Sequence, residues 1–205
     1  MNALSLSWAS IKSRPLQSAL CVCATGLGIA LLCTVFLLSQ AIEDGFLRNA
    51  RGIDIVVGAK GSPLQLVLSS IYHADVPIAN IEEKDIAPLL ADRRVAKAIP
   101  LTLGDNHHGF RIVGTTTDYP ALYGATLAQG AWWGHDFEAV AGSATGLTLG
   151  DAFPAVHGLE GNGDDVHHFH DYKITGVLKP TGTVLDRLIL TSVNSVHQLH
   201  LHPDL

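Results

Sequence analysis

The chain has no cysteine after residue 33. Cys21, Cys23 and Cys33 all lie within one apolar segment, and the rest of the sequence has no thiol from which a disulfide framework could be built. A reducing compartment explains this absence, and so does a domain whose core needs no disulfide. Cysteine usage therefore does not decide in which compartment the domain lies.

The chain also lacks an excess of basic charge. It has 13 Lys and Arg residues against 19 Asp and Glu residues, and its net charge is -6. Proteins that bind nucleic acids carry basic surfaces, because they neutralise phosphates. We therefore expect no nucleic-acid partner.

The sequence motifs of common enzymes are missing as well. The stretch Gly58-Ala-Lys-Gly-Ser62 is rich in glycine and contains a lysine, but it lacks the spacing of a phosphate-binding loop. There is no Gly-x-Ser-x-Gly and no His-Glu-x-x-His sequence. We therefore predict no catalytic residue and no ATPase activity in this chain.

The most prominent feature is a long uncharged segment near the amino terminus. No charged residue occurs between Pro15 and Ile42, and the stretch Ala19 to Leu38 has the length of a helix that crosses a hydrocarbon core of ~30 Å. A cleaved signal peptide and a buried core helix are the alternatives, but a signal peptide has a shorter apolar region. We predict a transmembrane helix over residues 15–42.

The charges on either side of this segment predict its orientation. Lys12 and Arg14 precede the segment, and Glu43 and Asp44 follow it. We expect the protein to lie in the inner (plasma) membrane of the cell. The positive-inside rule then places its amino terminus in the cytoplasm. Residues 1–14 then form a cytoplasmic segment, either an interfacial helix lying on membrane lipid or a disordered tail.

Residues 43–205 form the predicted extracytoplasmic domain, and their pattern mixes helices and short strands. The pattern predicts an α+β domain with two lobes rather than a single sandwich. The membrane helix is expected to continue over 42–50. The predicted elements after it are strands at 52–58, 110–114, 138–142, 172–178 and 188–191, an extended segment at 95–103, helices at 64–71, 80–94 and 192–199, and a turn or short helix at 119–123. Ser62 is the predicted cap of the helix at 64–71, with Pro63 at its first position, and Pro88 is expected to kink or shorten the helix at 80–94.

Histidine is the only unusual chemistry in this domain. His167, His168, His170 and Asp171 lie close together in the sequence and could ligate zinc or copper. The alternative is a solvated loop, because glycines flank the group. Further ligands could come from other histidines, namely His107, His108, His197, His200 and His202.

The order of these elements resembles the amino-terminal part of FtsX-like, MacB-type ABC-transporter permeases. The resemblance covers the whole chain, and it rests on five stretches: Trp8-Ala-Ser-Ile-Lys-Ser-Arg-Pro15 with Gly26-Leu-Gly-Ile-Ala30, Phe137 to Gly142, Leu147-Thr-Leu-Gly-Asp151, Tyr172 to Leu178, and Thr181-Gly-Thr183 with Asp186. The motifs of the external domain are each, taken alone, only a glycine turn beside a strand. Their order and spacing together carry the resemblance.

The resemblance implies a non-catalytic permease subunit, or the amino-terminal fragment of one. It implies a separate cytoplasmic ATPase subunit and a second permease copy as partners, and mechanical coupling of ATP hydrolysis to movement of the external domain. It also implies three further spans after the core domain, whereas the sequence ends at Leu205, so we expect a fragment or a truncated gene. The alternative function is a membrane-tethered binding or sensor domain that uses the histidine group.

Overall fold

The backbone of this computed structural model is described for residues 2–157 and 166–201. The side chains of residues 3, 4, 83, 155–157, 166–170, 200 and 201 lie outside the description. The chain divides into two units, Met1–Leu47 and Arg48–Leu205. We describe each unit by itself.

The first unit is helical. Helix α1 covers Ala3–Ser13, and helix α2 covers Pro15–Ala50, with its last three residues in the second unit. Arg14 lies between the two helices with φ of -135° and ψ of 67°, and this conformation ends α1 immediately before Pro15. A helix before the apolar segment is therefore confirmed, and its location on the membrane surface stays a prediction.

Helix α2 is the one described helix that is long and apolar enough to cross a membrane. It has 36 residues, none of them is buried, and its most apolar window has a mean hydropathy of 2.4. The predicted continuation of the helix over residues 42–50 is confirmed, because α2 runs without interruption to Ala50. At ~1.5 Å per residue such a helix is ~54 Å long, more than a hydrocarbon core requires.

Two short helices precede the sheet of the second unit. Helix α3 covers Pro63–Ser70, and the Ser62 hydroxyl accepts a hydrogen bond from the Gln65 amide at 3.4 Å. Helix α4 covers Glu83–Leu90, which is shorter than the predicted 80–94. Pro88 lies within α4, and it weakens the helix because it lacks an amide hydrogen.

Seven strands follow, and they belong to a single sheet. Their order is β3-β6-β4-β7-β2-β1-β5, and β5 also pairs with β6, so the sheet curls until six of its strands close on themselves. The strands are β1 Thr102–His107, β2 Phe110–Thr115, β3 Leu127–Gly130, β4 Glu138–Ala141, β5 Ala152–His157, β6 Val166–Leu178 and β7 Leu188–Ser192. The α+β class is confirmed.

Both faces of the sheet are covered. On one face Ile112 and Ile189 pack with Val196 and Leu199 of helix α6, which covers Val193–Leu201. The helix approaches closely because Gly114 has no side chain: a Cβ there would lie 2.8 Å from Val196 Cγ2. On the other face, a second buried cluster consists of Val113, Tyr119, Val140, Leu178, Leu185, Leu188 and Leu190.

Some strand predictions were wrong. Residues 52–58 join no strand of the described sheet, although they are β-branched and bounded by glycines. Strand propensity reflects packing on a pleated surface, so a segment without a partner does not become a strand. Strands β3 and β5 were not predicted, and of the segment predicted as extended over 95–103 only Thr102 and Leu103 belong to a strand.

Candidate functional site at the end of the long helix

Residues 48–50, the part of α2 that belongs to the second unit, are hydrogen-bonded to two turns of the same unit. The Arg48 Nη1 atom donates to the Gly182 carbonyl at 3.2 Å, and the Tyr123 hydroxyl donates to the Asn49 carbonyl at 2.9 Å. The Asn49 Oδ1 atom accepts from the Val184 amide at 2.9 Å. We call Arg48, Asn49, Tyr123, Gly182 and Val184 the helix anchor.

The turn that carries Gly182 is held by a carboxylate. Asp186 Oδ1 accepts from the Thr181 amide at 2.8 Å and from the Thr181 hydroxyl at 2.9 Å, and Asp186 Oδ2 accepts from the Gly182 amide at 2.8 Å. Gly182 has φ of +67°, a conformation in which glycine carries no steric cost. These bonds fix the direction of the Gly182 carbonyl that receives Arg48.

Asp186 remains ionised in this turn. Partial burial opposes the charged carboxylate, but the hydrogen bonds from Thr181 and Gly182 outweigh that effect and keep the pKa of Asp186 below its usual value. Thr183 contributes a further bond, since its hydroxyl accepts from the Leu185 amide at 3.3 Å and caps the 3-10 helix Val184–Arg187. At neutral pH a charged carboxylate therefore holds this turn through three hydrogen bonds.

Tyr123 is positioned by the short helix α5, which covers Asp118–Leu122. Its ring packs edge-on against Tyr119, with ring centroids 5.5 Å apart. Burial raises the pKa of Tyr123, so its hydroxyl keeps the proton that it donates to the Asn49 carbonyl. The anchor thus joins residues 48–50 to a packed part of the same unit.

A second polar contact joins the segment that follows α3 to helix α5. The His73 Nε2 atom lies 2.7 Å from the Tyr119 hydroxyl, and the two rings meet edge-on. His73 is buried with φ of +51°. Burial, and next the charge of Arg111, lower the pKa of His73 to about 3, so the imidazole is neutral.

The predicted metal ligands are only partly described. His167, His168 and His170 lie in β6, but their side chains lie outside the described residues, while Asp171 is exposed. Within 2–157 and 166–201, the described side chains form no group of three or more His, Cys, Asp or Glu that could hold a metal ion. The metal site stays a prediction.

The other histidines proposed as ligands lie in different surroundings. His107 packs on Phe153, with ring centroids 4.2 Å apart, and His108 forms the tip of the β1–β2 hairpin with Gly109. His108 and Gly109 both have positive φ, which is typical of a two-residue hairpin turn. His197 is exposed on α6, the His200 side chain lies outside the description, and His202 lies outside the described residues.

Sequence reasoning did not identify the helix anchor. Thr181, Thr183 and Asp186 were noted only because they resemble a family motif, and Asn49 and Tyr123 were not singled out. The spacing Thr183-x-x-Asp186 is close to that of a helix capping box, and this signal could have indicated the turn. No local signal links that turn to Asn49.

Comparisons with known proteins give one family and a distant structural likeness. A family model described as the MacB-like periplasmic core domain matches residues 18–203. The chain is also similar to the crystal structure of the extracellular domain of the noncanonic ABC-type transporter YknZ from Gram-positive bacteria. The two chains are 14% identical with a TM-score of 0.39, and the match covers 60% of this chain and 68% of that chain. No curated protein matches the chain.

Proposed function

Because the chain belongs to the family of MacB-like periplasmic core domains, we propose that α2 transmits movement, driven by ATP hydrolysis in a partner protein, to the external domain. The family is that of FtsX-like, MacB-type permeases, and the chain carries the extracellular domain of an ABC-transporter permease. Its coupling to an ATPase is our proposal.

The observation that carries this proposal is the anchored end of an uninterrupted helix. A helix transmits displacement only if its far end is attached to the part that moves. Helix α2 continues from the apolar segment into residues 48–50, and three hydrogen bonds attach those residues to the turns at 123 and 182–184. The turn at 182–184 leads through the 3-10 helix directly into β7.

The proposal includes specific partners and a location. We place the amino terminus in the cytoplasm and the domain outside the inner membrane, since Lys12 and Arg14 precede the span and Glu43 and Asp44 follow it. ATP hydrolysis then belongs to a separate cytoplasmic ATPase subunit, and this chain acts without catalysing a reaction. A second permease copy in the same membrane completes the assembly.

The first test measures whether nucleotide binding is felt in the external domain. The tagged full chain is purified from its native membranes with any ATPase that accompanies it. Hydrogen exchange at residues 181–192 is then compared with and without ATP and vanadate. We expect exchange in this stretch to differ between the two states, whereas an absence of any difference would contradict the proposal.

Variants of α2 and its anchor test the route of transmission. Two glycines inserted after Gly45 should interrupt the helix and abolish the nucleotide-dependent difference, while the same insertion after Gly109, in the β1–β2 hairpin, should leave it intact. Asn49→Leu removes the acceptor of the Val184 amide and should reduce the difference, whereas Asn49→Asp keeps an acceptor oxygen. A helix insertion that leaves the difference unchanged would show that α2 does not transmit the movement.

A further inference from the structure

The segment Ile53 to Gly58, which we call the post-helix segment, has the composition of a strand but no strand partner among the described residues. It contains Ile53, Ile55, Val56 and Val57, and it begins three residues after α2 ends. In the described part of the chain, only the Ile53 amide bonds to another backbone group, the Ala50 carbonyl at 3.2 Å. No backbone hydrogen bond is thus described for residues 54–58, among which Asp54, Ile55 and Val57 are exposed.

The post-helix segment also exposes apolar side chains. Ile55 is 72% exposed and Val57 is 47% exposed. Among the described residues of the second unit, eight of the nine exposed large apolar side chains lie between residues 55 and 90, and they are Ile55, Val57, Leu64, Val76, Ile78, Ile81, Leu89 and Leu90, with Leu149 as the ninth. Apolar exposure is thus concentrated ahead of the sheet.

From these observations we infer that the post-helix segment pairs as an antiparallel β-strand with the same segment of a second copy of this chain. An extended apolar segment with unused backbone donors and acceptors is a template for strand addition. Pairing would satisfy those groups and cover Ile55 and Val57 in one step. The inference rests on the proposed function, in which two copies lie in one membrane.

The position of the segment in the chain favours a second copy as its partner. In each copy the post-helix segment follows the same membrane helix by the same number of residues. Two copies that cross one membrane in the same direction therefore carry this segment at the same distance along the chain from the bilayer. A two-fold axis between them would make a self-complementary contact, as in most homodimers.

The charges around Val57 favour the antiparallel arrangement. Asp54 and Lys60 are both exposed, and each lies three residues from Val57. In an antiparallel pair centred on Val57 and continued to Lys60, in the bend two residues beyond the segment, Asp54 of each copy lies opposite Lys60 of the other. A parallel pair in register would place Asp54 opposite Asp54 and Lys60 opposite Lys60, and like charges in directly opposite positions are unfavourable.

Cysteine cross-linking in membranes tests this geometry. The full chain first carries serine in place of Cys21, Cys23 and Cys33, and then a single new cysteine. A disulfide requires Cα atoms within about 7 Å. In the antiparallel pair the two Val57 residues face each other, whereas the two Ile55 residues are separated by ~13 Å along the strands, at about 3.3 Å per residue.

We therefore expect Val57→Cys to form an oxidant-dependent dimer at a yield at least about fivefold above that of Ile55→Cys, because only the former pair lies within disulfide distance. Leu149→Cys, an exposed position within the sheet domain, serves as the matched control and should not cross-link. Asp54→Lys should lower the yield at Val57→Cys, and adding Lys60→Asp should restore it. Equal yields at residues 55 and 57 would overturn the antiparallel pair.

Co-purification of two differently tagged copies separates failure of the inference from failure of the proposed function. If the copies co-purify but Val57→Cys does not cross-link, the pairing of the post-helix segment is wrong and the two-copy assembly stands. If the copies do not co-purify and no cross-link forms, both the inference and the two-copy assembly fail.

Discussion

Buried His73 should make the stability of the external domain depend on pH near neutrality. The imidazole is 8% exposed and lies 2.7 Å from the Tyr119 hydroxyl through Nε2. Burial is the main reason why its pKa falls from 6.5 to about 3, and the positive charge of Arg111 adds to the effect. The native protein therefore keeps this histidine neutral at pH values where the unfolded chain protonates it.

The sign and size of the effect follow from proton linkage. His73 stabilises the fold fully above pH 6.5, and the stabilisation is lost as the pH falls from 6.5 towards about 3, because only the unfolded chain binds the proton in that range. From pH 7 to pH 5 the free energy of unfolding should fall by about 2 kcal/mol on account of this residue, with a slope approaching ~1.4 kcal/mol per pH unit.

The assay is urea unfolding of the full chain in detergent micelles, followed by tryptophan fluorescence at pH 7 and pH 5. His73→Asn is the test variant, since asparagine tolerates the positive φ of 51° and cannot take up the proton. His197→Asn changes an exposed histidine and is the control. Burial is also the main cause that lowers the pKa of His107. His107 and the other titrating groups are present in all three proteins, so their contributions to the pH dependence cancel in the comparison.

We expect the loss of stability between pH 7 and pH 5 to be about 2 kcal/mol smaller in His73→Asn than in the wild type and in His197→Asn. The lower stability of His73→Asn at pH 7 does not affect this comparison, because only the change with pH is used. An equal loss in all three proteins would show that His73 is not held neutral, and the reasoning from its burial would be refuted.

Two further predictions concern α6 and the histidine group. Asp136 accepts hydrogen bonds from the Ser192 hydroxyl at 2.9 Å and the Gln198 amide at 3.0 Å, so Asp136→Ala should lower the free energy of unfolding by about 1–2 kcal/mol. The control Glu82→Ala, at an exposed ion pair, should change it by less than about 0.5 kcal/mol. Equal effects of the two variants in urea unfolding would contradict this prediction. Replacing His167, His168 and His170 with alanine should weaken zinc binding at least about tenfold in calorimetric titration if they are ligands, and unchanged affinity would make the metal-site prediction wrong.

Elements specified by local sequence could be predicted. The apolar run and its flanking charges predict α2, and Ser62 followed by Pro63 marks the start of α3, where the structure has it. The strand predicted at 110–114 is β2, which ends one residue later, and its β-branched residues Ile112 and Val113 are completely buried. In these cases the residues that form the element also supply its main signal.

Elements that depend on distant partners could not be predicted. Strand β3 consists of Leu127-Ala-Gln-Gly130, which has no alternating apolar pattern, and it is a strand because it pairs with the carboxyl-terminal part of β6. The post-helix segment is the opposite case, since it has strand composition and no partner in the described sheet. Pairing, and not composition alone, decides both outcomes.

The helix anchor depends on contacts between residues that are very far apart in the sequence. Asn49 lies 74 residues from Tyr123 and 135 residues from Val184, and Arg48 lies 134 residues from Gly182. Hydrogen bonds of this kind arise only after the sheet has brought the two turns together. The spacing of Thr183 and Asp186 could have indicated this turn, but no signal in a single sequence indicates the helix end that the turn binds.

In the proposed function, the energies of these contacts indicate which of them would break first when α2 moves. Each anchor hydrogen bond contributes about 1 kcal/mol, and the exposed bond from Arg48 contributes less. The turn leads into β7, where Ile189 and Leu190 are completely buried between β4 and β2, and each such side chain stabilises the fold by about 1.5–3 kcal/mol. Strand β7 should therefore move as one body with the sheet. The anchor bonds should break first under load, beginning with the exposed bond from Arg48 and followed by the two bonds of Asn49.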